Sequence, residues 1–147
     1  MGKMPTVEEE LRNVGLKVTP QRAKILEYFE RSPGEHYSAE DIHTYITETN
    51  PSVPPATVYN ILKILVERGK INTFEINGKA LYESRTDPHI NFSCEACGQI
   101  NDYEMGDLGR ELIEKIPGRV ISSGIVFKGI CQNCLNSMKD DEEYREA

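Results

Sequence analysis

Apolar residues recur at helical spacing through the first half of the chain and then change to strand spacing. Thr19 followed by Pro20 offers a capping side chain and a proline suited to a first helical turn. Ile25, Leu26 and Phe29 continue one face, which predicts a helix over roughly 20–31. Ser38 is a second cap, with Asp41 at the capping-box position and Ile42, Tyr45 and Ile46 as the next stripe. NPSVPPATVYNILKILVERG reads as a turn, a proline-started helix with Val58, Ile61, Leu62 and Leu65 inward, and a stop at Gly69. INTFEINGKALYE then reads as two strands joined by Asn77 and Gly78, the residue types a type I′ hairpin turn requires.

Three helices and a hairpin in that order describe a winged helix-turn-helix. Such a module lays the helix before the hairpin in the major groove of DNA. Its outward residues here are Thr57, Tyr59, Asn60 and Lys63, and Lys17 and Arg22 add phosphate-binding charge. Asparagine can pair with adenine and threonine can touch a thymine methyl, whereas tyrosine and the cations suit phosphates. From pattern alone the alternative stays open that these are ordinary polar positions of a helix that packs elsewhere.

The second half adds a helix-like segment, GDLGRELIEKIPG, and the apolar run IVFKGI, so the fold class expected is α+β. The expected organisation is a DNA-binding domain over 1–84, a hinge over 85–88, a small α/β domain over 89–137 and an acidic tail over 138–147. Charge follows the same division. Residues 1–86 carry 11 Lys and Arg against 12 Asp and Glu, whereas residues 87–147 carry 6 against 12. A near-neutral first part can still present a basic face, so the net charge of −7 leaves DNA open as a partner. No apolar run approaches the ~18 residues of a membrane span. No membrane partner is therefore expected, and the expected location is the cytoplasm.

Four cysteines stand in two C-x-x-C pairs, Cys94 with Cys97 and Cys131 with Cys134. Thiols kept in a reducing compartment point to metal ligation rather than disulfides. Two such turns supply the S4 set that Zn(II) accepts, with no open position for catalysis. Reactive redox pairs and a rubredoxin-like iron site are the alternatives. No nucleophile, base and oxyanion set is visible, and no enzyme is expected.

TPQR at 19–22, PATVYN at 55–60, the NGK hairpin, the histidine before CEACG and the late CQNC together resemble the ferric uptake regulator family of metal-dependent transcription factors, over about residues 8–135. The resemblance implies an N-terminal winged helix for DNA, a C-terminal dimerisation domain, structural Zn(II) on the cysteines and a homodimer on an inverted-repeat operator. It also implies a regulatory Fe(II) or Mn(II) site between the domains, formed by His36, Glu83, His89, Asn91 and Asp102. Nitrogen and hard oxygen donors suit those metals. Asn91 departs from the pattern, which usually has histidine there. Without the family, His36 reads as a polar residue before a cap, His89 as a strand-edge histidine and His43 as a surface residue.

Some members carry an accessory metal site, but Pro88, Ile90 and Ser123 stand where its ligands would be expected, which predicts its absence. Asn60 and Asp102 are similar to the peroxide-sensing branch, in which iron-driven oxidation of a ligand histidine releases the repressor from DNA. Glu83 is more like the iron-uptake branch. A peroxide-sensing repressor is the favoured expectation. A simple iron or manganese uptake regulator, or a member with a weakened sensing site, is the alternative. Leu108, Leu112, Ile116 and the 125–130 run would be shared between the dimer surface and the domain's own core.

Overall fold

In the computed structural model, which describes residues 4–139, the chain forms two compact units. The first comprises residues up to Thr86 together with Gly118–Ser123, and the second comprises Asp87–Pro117 and the chain from Gly124 onward. Beyond Lys139 the acidic tail lies outside the described residues. No helix among the described residues is long and apolar enough to cross a membrane.

The first unit holds α1 (Val7–Asn13), α2 (Pro20–Arg31), α3 (Ala39–Thr47), α4 (Pro55–Glu67) and the antiparallel hairpin of β1 (Asn72–Ile76) and β2 (Lys79–Glu83). The cap residues act as their chemistry dictates. Thr19 Oγ1 accepts the Arg22 N–H at 3.2 Å, and Ser38 and Asp41 form a reciprocal capping box. Gly69 ends α4 at a φ of +72°, and Lys70 N–H closes back on the Leu65 carbonyl at 2.9 Å. Asn77 and Gly78 both adopt positive φ, as the type I′ turn demands. The three helices and the hairpin expected from the pattern are therefore present, and α1 is an addition. Its signal is Thr6, whose hydroxyl accepts the Glu9 N–H, three residues on.

The core of this unit is continuous. Leu11 from α1, Ile25, Leu26 and Phe29 from α2, Ile42 and Ile46 from α3, and Val58, Leu62 and Leu65 from α4 are all buried in one cluster. Tyr28, Tyr37 and Tyr45 extend it as stacked and tilted rings. His43, expected at the surface, is half-buried instead, with Nε2 2.8 Å from the Val53 carbonyl oxygen.

The second unit holds β3 (Ile90–Cys94), β4 (Ile100–Tyr103), α5 (Leu108–Glu114), β5 (Ile125–Gly129) and α6 (Gln132–Lys139). Its sheet has the order β4-β3-β5, with β3 antiparallel to β4 and parallel to β5. Burial in β3 is the reverse of the usual strand. Asn91 and Ser93 are buried, whereas Ile90 and Phe92 are only half-buried. Leu108, Leu112, Ile116 and Phe127 are each more than two-fifths exposed, so these apolar side chains do not form a core for the unit. Pro88 packs on α5 so closely that a Cβ at Gly109 would lie 2.7 Å from the Pro88 Cβ.

Candidate functional site

Three groups of functional side chains emerge. The first lies at the start of α4. Proline suits the first helical position, and in the turns that follow Tyr59, Asn60 and Lys63 are exposed with Thr57 half-buried. A cavity of about 370 Å³ opens here, lined by Thr19, Gln21, Arg22, Thr57, Asn60 and isoleucines of α4. Arg22 is steadied by donating from its guanidinium to the Lys17 carbonyl at 2.9 Å. Tyr59 Oη donates to Glu40 at 3.3 Å, and the negative charge of Glu40 pushes the Tyr59 phenol up from its ordinary value. The face thus combines cations, an amide and a hydroxyl, the donor set that reads a duplex.

The second group is the four cysteines, whose sulfurs all lie within 4.8 Å of one another. Cys94 ends β3, Cys97 lies in the turn before β4, Cys131 precedes α6 and Cys134 lies within it. The turn is pinned to β5 by the Glu95 N–H donating to the Gly129 carbonyl at 2.8 Å. Backbone N–H groups of Cys131 and Cys97 point at Cys94 Sγ, at 3.3 and 3.5 Å, and lower its thiol to about 6. Cys134 is pushed up to about 12, first by its hydrogen bond with Cys131 and then by burial. Sulfur donors gathered in this way suit a tetrahedral soft cation, and Zn(II) fits the set.

The third group is the set of histidines and hard oxygen donors. In the first unit the Tyr37 and Tyr82 backbones form a bridge, exchanging N–H···O bonds of 2.9 and 2.7 Å. The neighbours of the bridge, His36 and Glu83, then come together, with Nε2 3.5 Å from Oε1. Both side chains are buried, and the Phe74 ring meets the imidazole edge-on. Asn72 stands opposite Glu83 in the hairpin and donates from Nδ2 to Glu83 Oε2 at 2.9 Å. Asn72 was not anticipated from sequence. The available signal was an asparagine in register with the inward positions Phe74 and Ile76.

In the second unit His89 Nδ1 bonds the Asp87 carbonyl at 2.7 Å, which calls for the proton on Nδ1 and leaves Nε2, in the neutral ring, as the nitrogen that can bind a metal. Nε2 is 3.9 Å from Asp102 Oδ2. Asn91 pairs directly with Asp102 across β3 and β4. Its Nδ2 reaches the Ile125 carbonyl at 3.4 Å, whereas its Oδ1 is fully buried with no hydrogen-bond partner. An unpartnered buried carbonyl oxygen is costly, and a cation would satisfy it.

Comparison with known proteins identifies the family. The description "Ferric uptake regulator family" matches residues 13–122. The chain is 32% identical over 130 residues to the ferric uptake regulation protein of Neisseria gonorrhoeae, spanning 85% of this chain and 90% of that protein. It is also 32% identical to the peroxide operon regulator of Bacillus subtilis, spanning 86% of this chain and 89% of the other. Among solved structures, the ferric uptake regulator from Pseudomonas aeruginosa with manganese superimposes with a TM-score of 0.68 at 25% identity, covering 87% of this chain and 99% of that one. With a family match that runs through both units, the chain belongs to the ferric uptake regulator family and is a metal-dependent transcription regulator rather than an enzyme.

Proposed function

We propose that the protein is a homodimeric repressor that binds an inverted-repeat operator when Fe(II) or Mn(II) is bound, and that peroxide relieves the repression. Zn(II) on Cys94, Cys97, Cys131 and Cys134 is structural in this reading, because all of its ligands come from the protein. The regulatory metal takes its ligands from His36, Glu83, His89, Asn91 and Asp102. The observation that carries the reading is a histidine–carboxylate contact in each unit, His36 with Glu83 in the first and His89 with Asp102 in the second, together with the unpartnered buried oxygen of Asn91 in the second. Imidazoles and carboxylates gathered at such sites, with a buried amide oxygen left unsatisfied, are the donor types that a divalent cation takes.

DNA is contacted by Thr57, Tyr59, Asn60 and Lys63 of α4, with Lys17 and Arg22 on phosphates. Binding then weakens steeply as salt rises. The second copy covers Leu108, Leu112, Ile116 and Phe127, which sets the spacing of the two reading helices. Metal occupancy then favours the DNA-competent state by a coupling on the order of 1–3 kcal/mol. A regulator of this kind acts in the cytoplasm.

When bound, iron(II) would promote cleavage of the peroxide O–O bond, one oxygen being added to a neighbouring imidazole in a two-electron oxidation of the ring and the other leaving as water. In this reading His36 and His89 are the imidazoles exposed to that oxidation, and loss of either as a donor weakens the hold on the metal. Glu83 favours a second reading, in which the metal is a simple corepressor and peroxide has no direct effect, and Asn91 a third, in which the sensing site is weakened.

One experiment separates them. The zinc-loaded protein is bound to an inverted-repeat operator with Fe(II), with Mn(II) or with neither, and peroxide is then added. Release that coincides with one added oxygen on His36 or His89 supports the sensor. Metal dependence without release supports the uptake regulator, and binding indifferent to added metal overturns both. Asn91→His restores an imidazole and should tighten the metal on the order of tenfold, as metal titration would measure.

A further inference from the structure

Asn72 belongs to none of the ligand sets above, yet both ends of its buried amide are used. Nδ2 donates to Glu83 Oε2 at 2.9 Å and to the Ser123 carbonyl at 3.0 Å, and Oδ1 accepts the Ser123 N–H at 3.3 Å. The two amide hydrogens are thereby divided between a backbone carbonyl and a carboxylate. Ser123 is the last residue of the Gly118–Ser123 segment, which packs with the first unit although the chain on either side of it belongs to the second.

The Ser123 peptide sets the orientation of the Asn72 amide. A backbone N–H can face only Oδ1, and the nitrogen end is then the one turned to Glu83. Were the segment to leave, the amide would lose two of its three hydrogen bonds and be held only by the carboxylate it positions. With the segment seated, Oε2 of Glu83 is held by Asn72, and Oε1 is the oxygen directed toward His36.

We propose that Asn72 is a positioning residue that couples the seating of segment 118–123 to the readiness of Glu83 to bind a divalent cation. The proposal rests on reading Glu83 as a regulatory ligand. By linkage the effect runs both ways, so a cation on Glu83 strengthens the hold on the segment, and the seated segment strengthens the hold on the cation. Groups that orient a metal ligand typically change affinity about 10- to 100-fold when removed.

The test uses the zinc-loaded full chain with Mn(II) alone as the probe. It measures Mn(II) affinity and amide hydrogen exchange over 118–123. In the wild type, Mn(II) should slow exchange in the segment several-fold. Asn72→Ala should weaken Mn(II) by about tenfold or more and abolish that protection. Asn72→Ser, which keeps one hydrogen bond but cannot span both partners, should uncouple the two readouts even if the alanine variant folds poorly. Ser123→Ala, which leaves the backbone donor and acceptor in place, should change neither. His36→Ala should lose Mn(II) affinity while leaving metal-free exchange over 118–123 as in the wild type.

Wild-type Mn(II) affinity in both Asn72 variants, or exchange over 118–123 that ignores Mn(II) in the wild type, would overturn the coupling. Glu83→Gln that binds Mn(II) as tightly as the wild type would overturn the ligand reading and the coupling with it. Dependence on Glu83 without dependence on Asn72 would overturn the coupling alone.

Discussion

The two units solve the problem of stability in opposite ways. In the first, apolar residues from four helices close on one another and leave the polar Tyr59, Asn60 and Lys63 outside. In the second, polar Asn91 and Ser93 are inside while Leu108, Leu112, Ile116 and Phe127 face outward. A unit built in the second manner cannot rest on the burial of its own side chains. It needs a metal to cross-link its chain and another surface to cover its apolar face. The first unit is therefore a domain in its own right, whereas the second is complete only when bound.

The largest test of that contrast is removal of the metal. Cys131→Ser should lower the zinc content from one per chain to near zero. It also removes a contribution that in small zinc modules reaches about 10–16 kcal/mol. Fast amide exchange should follow over β3 to β5, along with monomers in size-exclusion chromatography, while the helices of the first unit persist. Collapse of both units together would break the comparison. Phe29→Ala should do the reverse, costing about 3–5 kcal/mol in the first unit and abolishing operator binding while zinc content is unchanged. Phe127→Asp probes the outward face. A buried aromatic anchor at an interface is worth about 2 kcal/mol or more, so the dimer should weaken at least ~30-fold by sedimentation. No change would place the dimer surface elsewhere.

The smallest expected effect concerns an acid pair in the first unit. Burial, then the hydrogen bond and charge of Glu10, raise Glu30 to about 7, against Lys70, which pulls it down, and with Glu27 adding slightly. The folded state therefore holds a proton that the unfolded chain releases near 4.5. That contribution to stability is complete below the unfolded value and is lost as pH rises through about 7. Glu30→Gln carries no such proton, so its melting temperature should fall less than that of the wild type between about pH 6 and about pH 8.

The first unit was largely legible in the sequence because its signals are local. A threonine before a proline, a serine three residues before an aspartate, and Asn-Gly between two strand-like runs each dictate a backbone conformation within a few residues. Helix α1 is equally well signalled, by Thr6 and Glu9, but stands outside the three-helix pattern. The cysteine cluster was legible for a different reason, since C-x-x-C spacing carries its own geometry. What could not be read were contacts between residues distant in the chain. Nothing near His43 announces the Val53 carbonyl, and nothing near Asn72 announces Ser123, 51 residues away. The division of Leu108, Leu112 and Ile116 between core and surface was equally hidden, because the helical period shows that one face is apolar but not what it faces.

The Tyr37–Tyr82 bridge has an evolutionary consequence. Because backbone bonds at that bridge hold His36 beside Glu83, residues 32–35 can lengthen or shorten without disturbing the pair. A single residue inserted between His36 and Tyr37, or between Tyr82 and Glu83, would instead turn one partner to the opposite face, since strand side chains alternate. Among relatives, length variation should accumulate on the helix side of His36 and be absent on its strand side.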